Sequence, residues 1–141
     1  ALASAMAPAN LRIGGSPEDT AEYEGFGDGH QCSADAVKRH TCLTPVRWGE
    51  IVNFAEACGL RIVFGLNLMY GRETTGKWDP SNAVAFLEYT AHRYPSFTHG
   101  FGLGNEKEFL VTAEDTAGCY NTLRATVDRL WPAIADRPII V

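Results

Sequence analysis

The 141-residue chain has no apolar run of the roughly 18 residues needed to cross a bilayer, because its longest candidates are broken by Gly, Asn or Arg. It is short of positive charge: 12 Lys and Arg stand against 17 Asp and Glu, giving a net charge of -5 and a pI near 5.3. That balance argues against non-specific nucleic-acid binding, which draws its affinity from cations meeting phosphates. Lys38-Arg39-His40 is the one tight basic patch, read as solvated surface. There is no low-complexity tract, and no methionine, signal peptide or basic leader opens the chain at Ala1, so the natural start is expected upstream. What is present, 45% hydrophobic and 21% charged residues, is ordinary for one globular domain.

Helix and strand signals alternate along the chain. Ala1 to Ala7 reads as the tail of a helix that Pro8 ends, and Leu11 to Gly15 as a short strand running into a glycine turn. Residues 16–44 are rich in Gly, Asp, Glu and Cys and lack any period, so a long loop is expected there, of the kind that is usually a functional excursion. Thr44 and Pro45 open a helix that Gly59 closes, with Trp48, Ile51, Val52, Ala55 and Cys58 forming its apolar stripe. Leu60 to Leu66 follows as a buried strand ending on Asn67. Asp79 caps a second helix with the stripe Val84, Leu87, Ala91 and Tyr94, and Pro95 stops it before a strand from Thr98. Thr112 and Asp115 have the spacing of a capping box, and Ala117, Tyr120, Leu123, Val127, Leu130 and Ile134 carry a long helix. A new strand begins at Arg137-Pro138.

Strands starting near 11, 60, 98 and 138, each separated by a helix, predict an α/β fold with a parallel sheet. A dinucleotide-binding fold would require G-x-G-x-x-G at the first strand-to-helix turn, which Gly14-Gly15 does not supply. Closure into an eight-stranded barrel needs about 250 residues, so the expectation is about four βα units, the amino-terminal half of a (β/α)8 TIM barrel occupying residues 1–141. The polar residues that close these strands are Ser16 and Asp19 after the first, Asn67 after the second, and Asn105 and Glu106 after the third. A carboxylate at a strand end is held rigidly enough to act on a bond.

Leu-Arg-Ile-Gly-Gly-Ser at 11–16, Phe-Gly-Leu-Asn at 64–67, Tyr-Gly-Arg at 70–72, Trp-Asp at 78–79 and Gly-Leu-Gly-Asn-Glu at 102–106 stand in one order and cover most of the chain. Together they resemble the heparanase family of glycoside hydrolases, family 79, and especially its plant and algal members, which share Cys-Leu at 42–43 and Arg-Trp at 47–48. The resemblance implies a retaining glycosidase with Glu106 as general acid/base and Asn105 on the hydroxyl beside the reacting carbon. It also implies substrate contacts for Asn67, Asp19 and Ser16, and a nucleophile on a seventh strand beyond Val141, so that these residues alone are expected to be inactive. The family commonly follows Asn-Glu with Pro or a small residue, whereas this chain has Lys107-Glu108.

The substrate expected from the resemblance is a β-glucuronide linkage in a uronic-acid polysaccharide or proteoglycan, with no cofactor and no nucleic-acid partner. The acidic balance makes a sulfated chain less favoured. A sugar-binding protein that keeps the cleft without turnover is the alternative. Expected localisation is secreted, extracellular or vacuole-like, with membrane association possible only through other segments.

Cysteine usage leaves two chemistries open. His30-x-Cys32 and His40-x-Cys42 could supply two imidazoles and two thiols to zinc, but at a spacing that matches none of the usual zinc knuckles. A disulfide is favoured instead, with Cys32, Cys42 and Cys58 as candidates and no metal assigned. Cys119 reads as a small core residue and His99 as a structural histidine, while Tyr70 and Trp78 are divided between sugar stacking and core packing.

Overall fold

In the computed structural model, which describes residues 2–95, 99–107 and 109–141, four parallel strands form one sheet in the order β1-β4-β5-β6. The strands are β1 (Ala9–Ile13), β2 (Glu22–Tyr23), β3 (Cys42–Leu43), β4 (Leu60–Leu66), β5 (Gly100–Leu103) and β6 (Ile139–Ile140). The helices are α1 (Ala34–Lys38), α2 (Pro45–Cys58), α3 (Arg72–Thr75), α4 (Ser81–Arg93) and α5 (Ala113–Leu130). Each strand of the main sheet is separated from the next by helix, the βα alternation of a partial TIM barrel.

Local chemistry explains the well-formed elements. Thr44 Oγ1 accepts from the Arg47 N–H, Pro45 sits in the first turn, and Gly59 at φ 68° closes α2 in the left-handed region. Along β4, Ile62, Phe64 and Leu66 are buried while Arg61 is exposed, the alternation of a strand with its helix-facing side covered. Phe86 of α4 is the hub of that cover: its ring lies 4.9 Å from Tyr23, 4.9 Å from Trp48, 5.2 Å from Phe26 and 5.3 Å from Phe64. His99 is structural, its Nδ1 accepting the Ile62 N–H at 2.6 Å, and burial pushes its pKa down.

Several expectations are corrected. The helix tail before Pro8 is a 3-10 turn, Ala3–Met6, which buries no residue and so lacks the packing that would extend it, and β1 begins at Ala9. The α4 cap position is Pro80, with Asp79 Oδ1 accepting from the Ser81 N–H. Of its expected stripe Leu87 is buried and Ala91 and Tyr94 pack against the core, but Val84 is only half-buried, and Asn82, Ala83, Ala85, Phe86 and Thr90 are buried as well, two of them polar. α5 ends at Leu130; Trp131 is buried beyond it, Ala117 is exposed, and Ile134 stands in a 3-10 turn, 82% exposed. Thr112 Oγ1 caps the Asp115 N–H, but the Asp115 carboxylate pairs with Arg72. The expected strand start at Thr98 lies outside the described residues.

The largest correction concerns residues 16–44. They hold a 3-10 turn (Ser16–Thr20), α1, and the two-stranded parallel pair β2-β3, with Tyr23 fully buried and Phe26 nearly so. The segment is fixed by side chains meeting backbone. Asn82 Oδ1 accepts the Tyr23 N–H at 2.9 Å and Asn82 Nδ2 donates to the Tyr23 carbonyl at 2.8 Å and to Asp28 at 2.9 Å. Glu22 accepts from the Ser33 amide and hydroxyl, and Glu24 from the Cys32 N–H. Cys32 and Cys42 are joined by a disulfide with Cα atoms 5.9 Å apart, while Cys58 and the buried Cys119 are free thiols.

Candidate active site

The rim is built where β1, β4 and β5 end side by side, with Ile13 in register with Phe64 and Leu66 with Leu103. After Leu103 the chain turns sharply. Gly104 takes φ 75°, and a Cβ there would lie 2.6 Å from Leu68 Cδ2, so only glycine fits this turn. Asn105 and Glu106 follow; Glu106 is exposed and has φ 53°, an uncommon left-handed conformation for a residue bearing a side chain.

Four side chains meet at this turn. Arg12 Nη2 donates to Asn105 Oδ1 at 3.1 Å. A guanidinium has no acceptor, so this contact orients the amide with its oxygen toward Arg12. Asp19 is fully buried, accepting the Asn105 N–H on Oδ1 at 2.9 Å and pairing with Lys107 Nζ through Oδ2 at 3.2 Å, while its carbonyl accepts the Met69 N–H. The structure therefore brings Asp19, Asn105 and Glu106 together with Arg12 and Lys107.

The other two predicted residues behave differently. Ser16 is exposed on the 3-10 turn. Asn67 is fully buried, its Nδ2 donating to the Ala21 carbonyl at 2.8 Å and its N–H to the Tyr23 hydroxyl at 3.2 Å, and its Oδ1 is left without a partner. Asn67 thus anchors the 16–44 segment to the end of β4. Trp78 is buried, which favours packing, and Tyr70 turns its hydroxyl to His30 Nδ1 at 3.2 Å.

The zinc alternative is not assembled among the described residues. His30 Nε2 faces Glu22 at 2.9 Å, the sulfurs of Cys32 and Cys42 are joined to each other, and His40 belongs to neither of the two groups that cluster ligand atoms. Burial works to raise the Glu22 carboxyl, but the Ser33 hydroxyl and amide and the His30 ring outweigh it and hold the group below the usual range.

Glu18 was invisible to sequence reasoning. Its carboxylate fills the space left by the missing side chains of Gly14 and Gly65, accepts the Gly15 N–H at 2.7 Å and reaches Arg12 at 3.4 Å, with Oε1 unpaired. The signal was two glycines at the ends of neighbouring strands, which says that something fills the gap without saying what. Burial pushes the Glu18 pKa above its ordinary 4.5 despite the Gly15 N–H and Arg12. A raised carboxyl pKa means that the folded state holds the proton more tightly, so stability falls as pH rises from 4.5 toward the raised value. Glu18→Gln, which keeps an acceptor for Gly15, is expected to flatten that decline and to raise the unfolding midpoint at neutral pH. Thermal melts of both proteins across pH 4 to 8 check this; parallel curves would contradict it.

A hollow of about 570 Å³ borders Glu18, with Ile13, His40, Arg47 and Phe64 in its walls. It runs beside β1, an end strand of the sheet, and neither Asn105 nor Glu106 lines it.

The model of glycosyl hydrolase family 79, N-terminal domain, matches residues 1–141. The chain is similar to heparanase-like protein 3 of Arabidopsis thaliana, 30% identical with 97% of this chain and 29% of that protein covered. It is likewise similar to baicalin-beta-D-glucuronidase of Scutellaria baicalensis, 30% identical with 96% of this chain and 32% of that protein covered. Heparanase of Gallus gallus is 38% identical over 48% of this chain and 12% of its own length. The chain thus spans about a third of the first two relatives. Matched by that model over residues 1–141 and built on a parallel α/β sheet, it belongs to glycosyl hydrolase family 79 and corresponds to that family's N-terminal domain.

Proposed function

We propose that this chain supplies the acid/base half of a retaining glycosidase that cleaves β-glucuronide linkages in a uronic-acid glycan. The observation that carries the proposal is Asn105-Glu106 at the end of β5, with the Asn105 oxygen committed to Arg12. Asn105 Nδ2 donates to the sugar hydroxyl beside the reacting carbon. Glu106 protonates the leaving oxygen as a second carboxylate, about 5 Å away, attacks the sugar; Glu106 then takes a proton from the incoming water. That second carboxylate is assigned to sequence beyond residue 141, so these residues alone are inactive. Arg12, whose side chain is 57% exposed, places positive charge beside the pair, favourable to a uronic carboxylate. Ser16, exposed after β1, is kept as a substrate contact, whereas buried Asn67 serves that role only through the loop it anchors.

The Cys32–Cys42 bridge supports a secreted or vacuole-like location, where such bonds persist. No helix among the described residues is long and apolar enough to cross a membrane. The alternative is a sugar-binding protein that keeps the cleft without turnover. The test is the full-length protein on aryl β-glucuronide and aryl β-glucoside, with the anomer of the first-formed product read by NMR. Preference for the glucuronide with retention is expected; inversion, or no turnover of either compound, would overturn the enzyme.

A further inference from the structure

We propose that Asp19, neutralised by Lys107, is a positioning residue that holds Glu106 in its left-handed backbone conformation, and is not a ligand of the sugar. The proposal rests on Glu106 being the acid/base. Asp19 has no exposed surface, and both carboxylate oxygens are used on the residues that flank Glu106: Oδ1 on the Asn105 N–H at 2.9 Å and Oδ2 on the Lys107 ammonium at 3.2 Å. Its own backbone is fixed in turn, the Asp19 carbonyl accepting the Met69 N–H at 3.0 Å from the loop after β4.

A carboxylate removed from water must be paired, and the partner here is the Lys107 ammonium. Glu106 needs such a brace. A side-chain-bearing residue at φ 53° persists only where its surroundings over-determine the backbone, and the hydrogen bond to the Asn105 N–H and the ion pair with Lys107 clamp it from both sides. Lys107 is partly accessible, 24% exposed, so the clamp closes on the solvent side of the same turn. The consequence is kinetic: binding energy for the sugar is supplied elsewhere, while the clamp sets where the Glu106 carboxyl stands relative to the leaving oxygen. A displacement of about 1 Å there costs on the order of 100-fold in rate.

The experiment is a double-mutant cycle in the full-length protein on aryl and natural glucuronides, with Lys107→Met, Asp19→Asn and the pair combined, each checked for folding by thermal melting. Lys107→Met strands a buried charge and is expected to lower kcat by about 10- to 100-fold with KM within about 2-fold. The combined variant removes both charges and keeps an acceptor for the Asn105 N–H, so it should regain most of the loss. Lys107→Arg should stay near wild type. A raised KM with unchanged kcat for Asp19→Asn, or additive losses in the combined variant, would overturn the proposal and return Asp19 to the sugar. Should Lys107→Met not fold, Asp19→Asn alone decides by the same split of kcat from KM. Failure of the underlying assignment is separate: it would show as full activity in Glu106→Gln, whatever the cycle gives.

Discussion

Glu106→Gln in the full-length protein is expected to slow hydrolysis of natural glucuronides by about 100-fold or more, because the amide cannot deliver a proton to the leaving oxygen. An aryl glucuronide with a good leaving group needs no such proton in the first step and should lose much less there. Glutamine has the shape of glutamate and meets the same backbone at φ 53°, so the melting temperature should not move. Steady-state rates on both substrates with a melt of each protein check this. Equal losses on the two substrates would mean that Glu106 does something other than proton transfer.

The largest stability effect is expected at Asn82. Asn82→Leu is close in volume, but it leaves the Tyr23 N–H and carbonyl without their partners in a place where Tyr23 is fully buried. Each orphaned group costs about 1 to 3 kcal/mol, so the total should reach roughly 2 to 5 kcal/mol, a large part of an ordinary domain's stability. Denaturant titration of the full-length protein reads the change, and Ser81→Ala on the exposed side of the same helix serves as the control. A loss below about 0.5 kcal/mol would show that the segment is held by its apolar contacts alone.

The contrast between these two positions says how far a sequence can be read. Glu106 is legible because it ends a short strand whose glycines and apolar residues alternate, and α2 and β4 are legible because Thr44, Pro45 and Gly59 punctuate them with residues whose backbone chemistry admits few other uses. Asn82 is not legible: a polar residue in a helix is ordinarily read as solvent-facing, and its partner lies in a segment with no period of its own. The same holds for Glu18, whose niche exists only once Gly14 and Gly65 arrive from different strands. The place of Asp19 after the first strand was legible, yet its burial and its partner Lys107 were not, since both depend on how the turn after β5 folds back. Periodicity reports what faces a core; it is silent on bonds between a side chain and a distant backbone.

The parallel pair β2-β3 bears on how this protein can change. Glu22 is in register with Cys42 and Tyr23 with Leu43, so the chain enters and leaves the intervening segment through strands bonded to each other. Residues 24–41 are in effect a cassette clipped to the scaffold at its two ends, with the Cys32–Cys42 bridge as a second clip inside it. Closing a longer loop between fixed ends costs only about 0.6 kcal/mol for each doubling of its length. Insertions and exchanges within that cassette can therefore remodel the surface beside the rim at little thermodynamic cost.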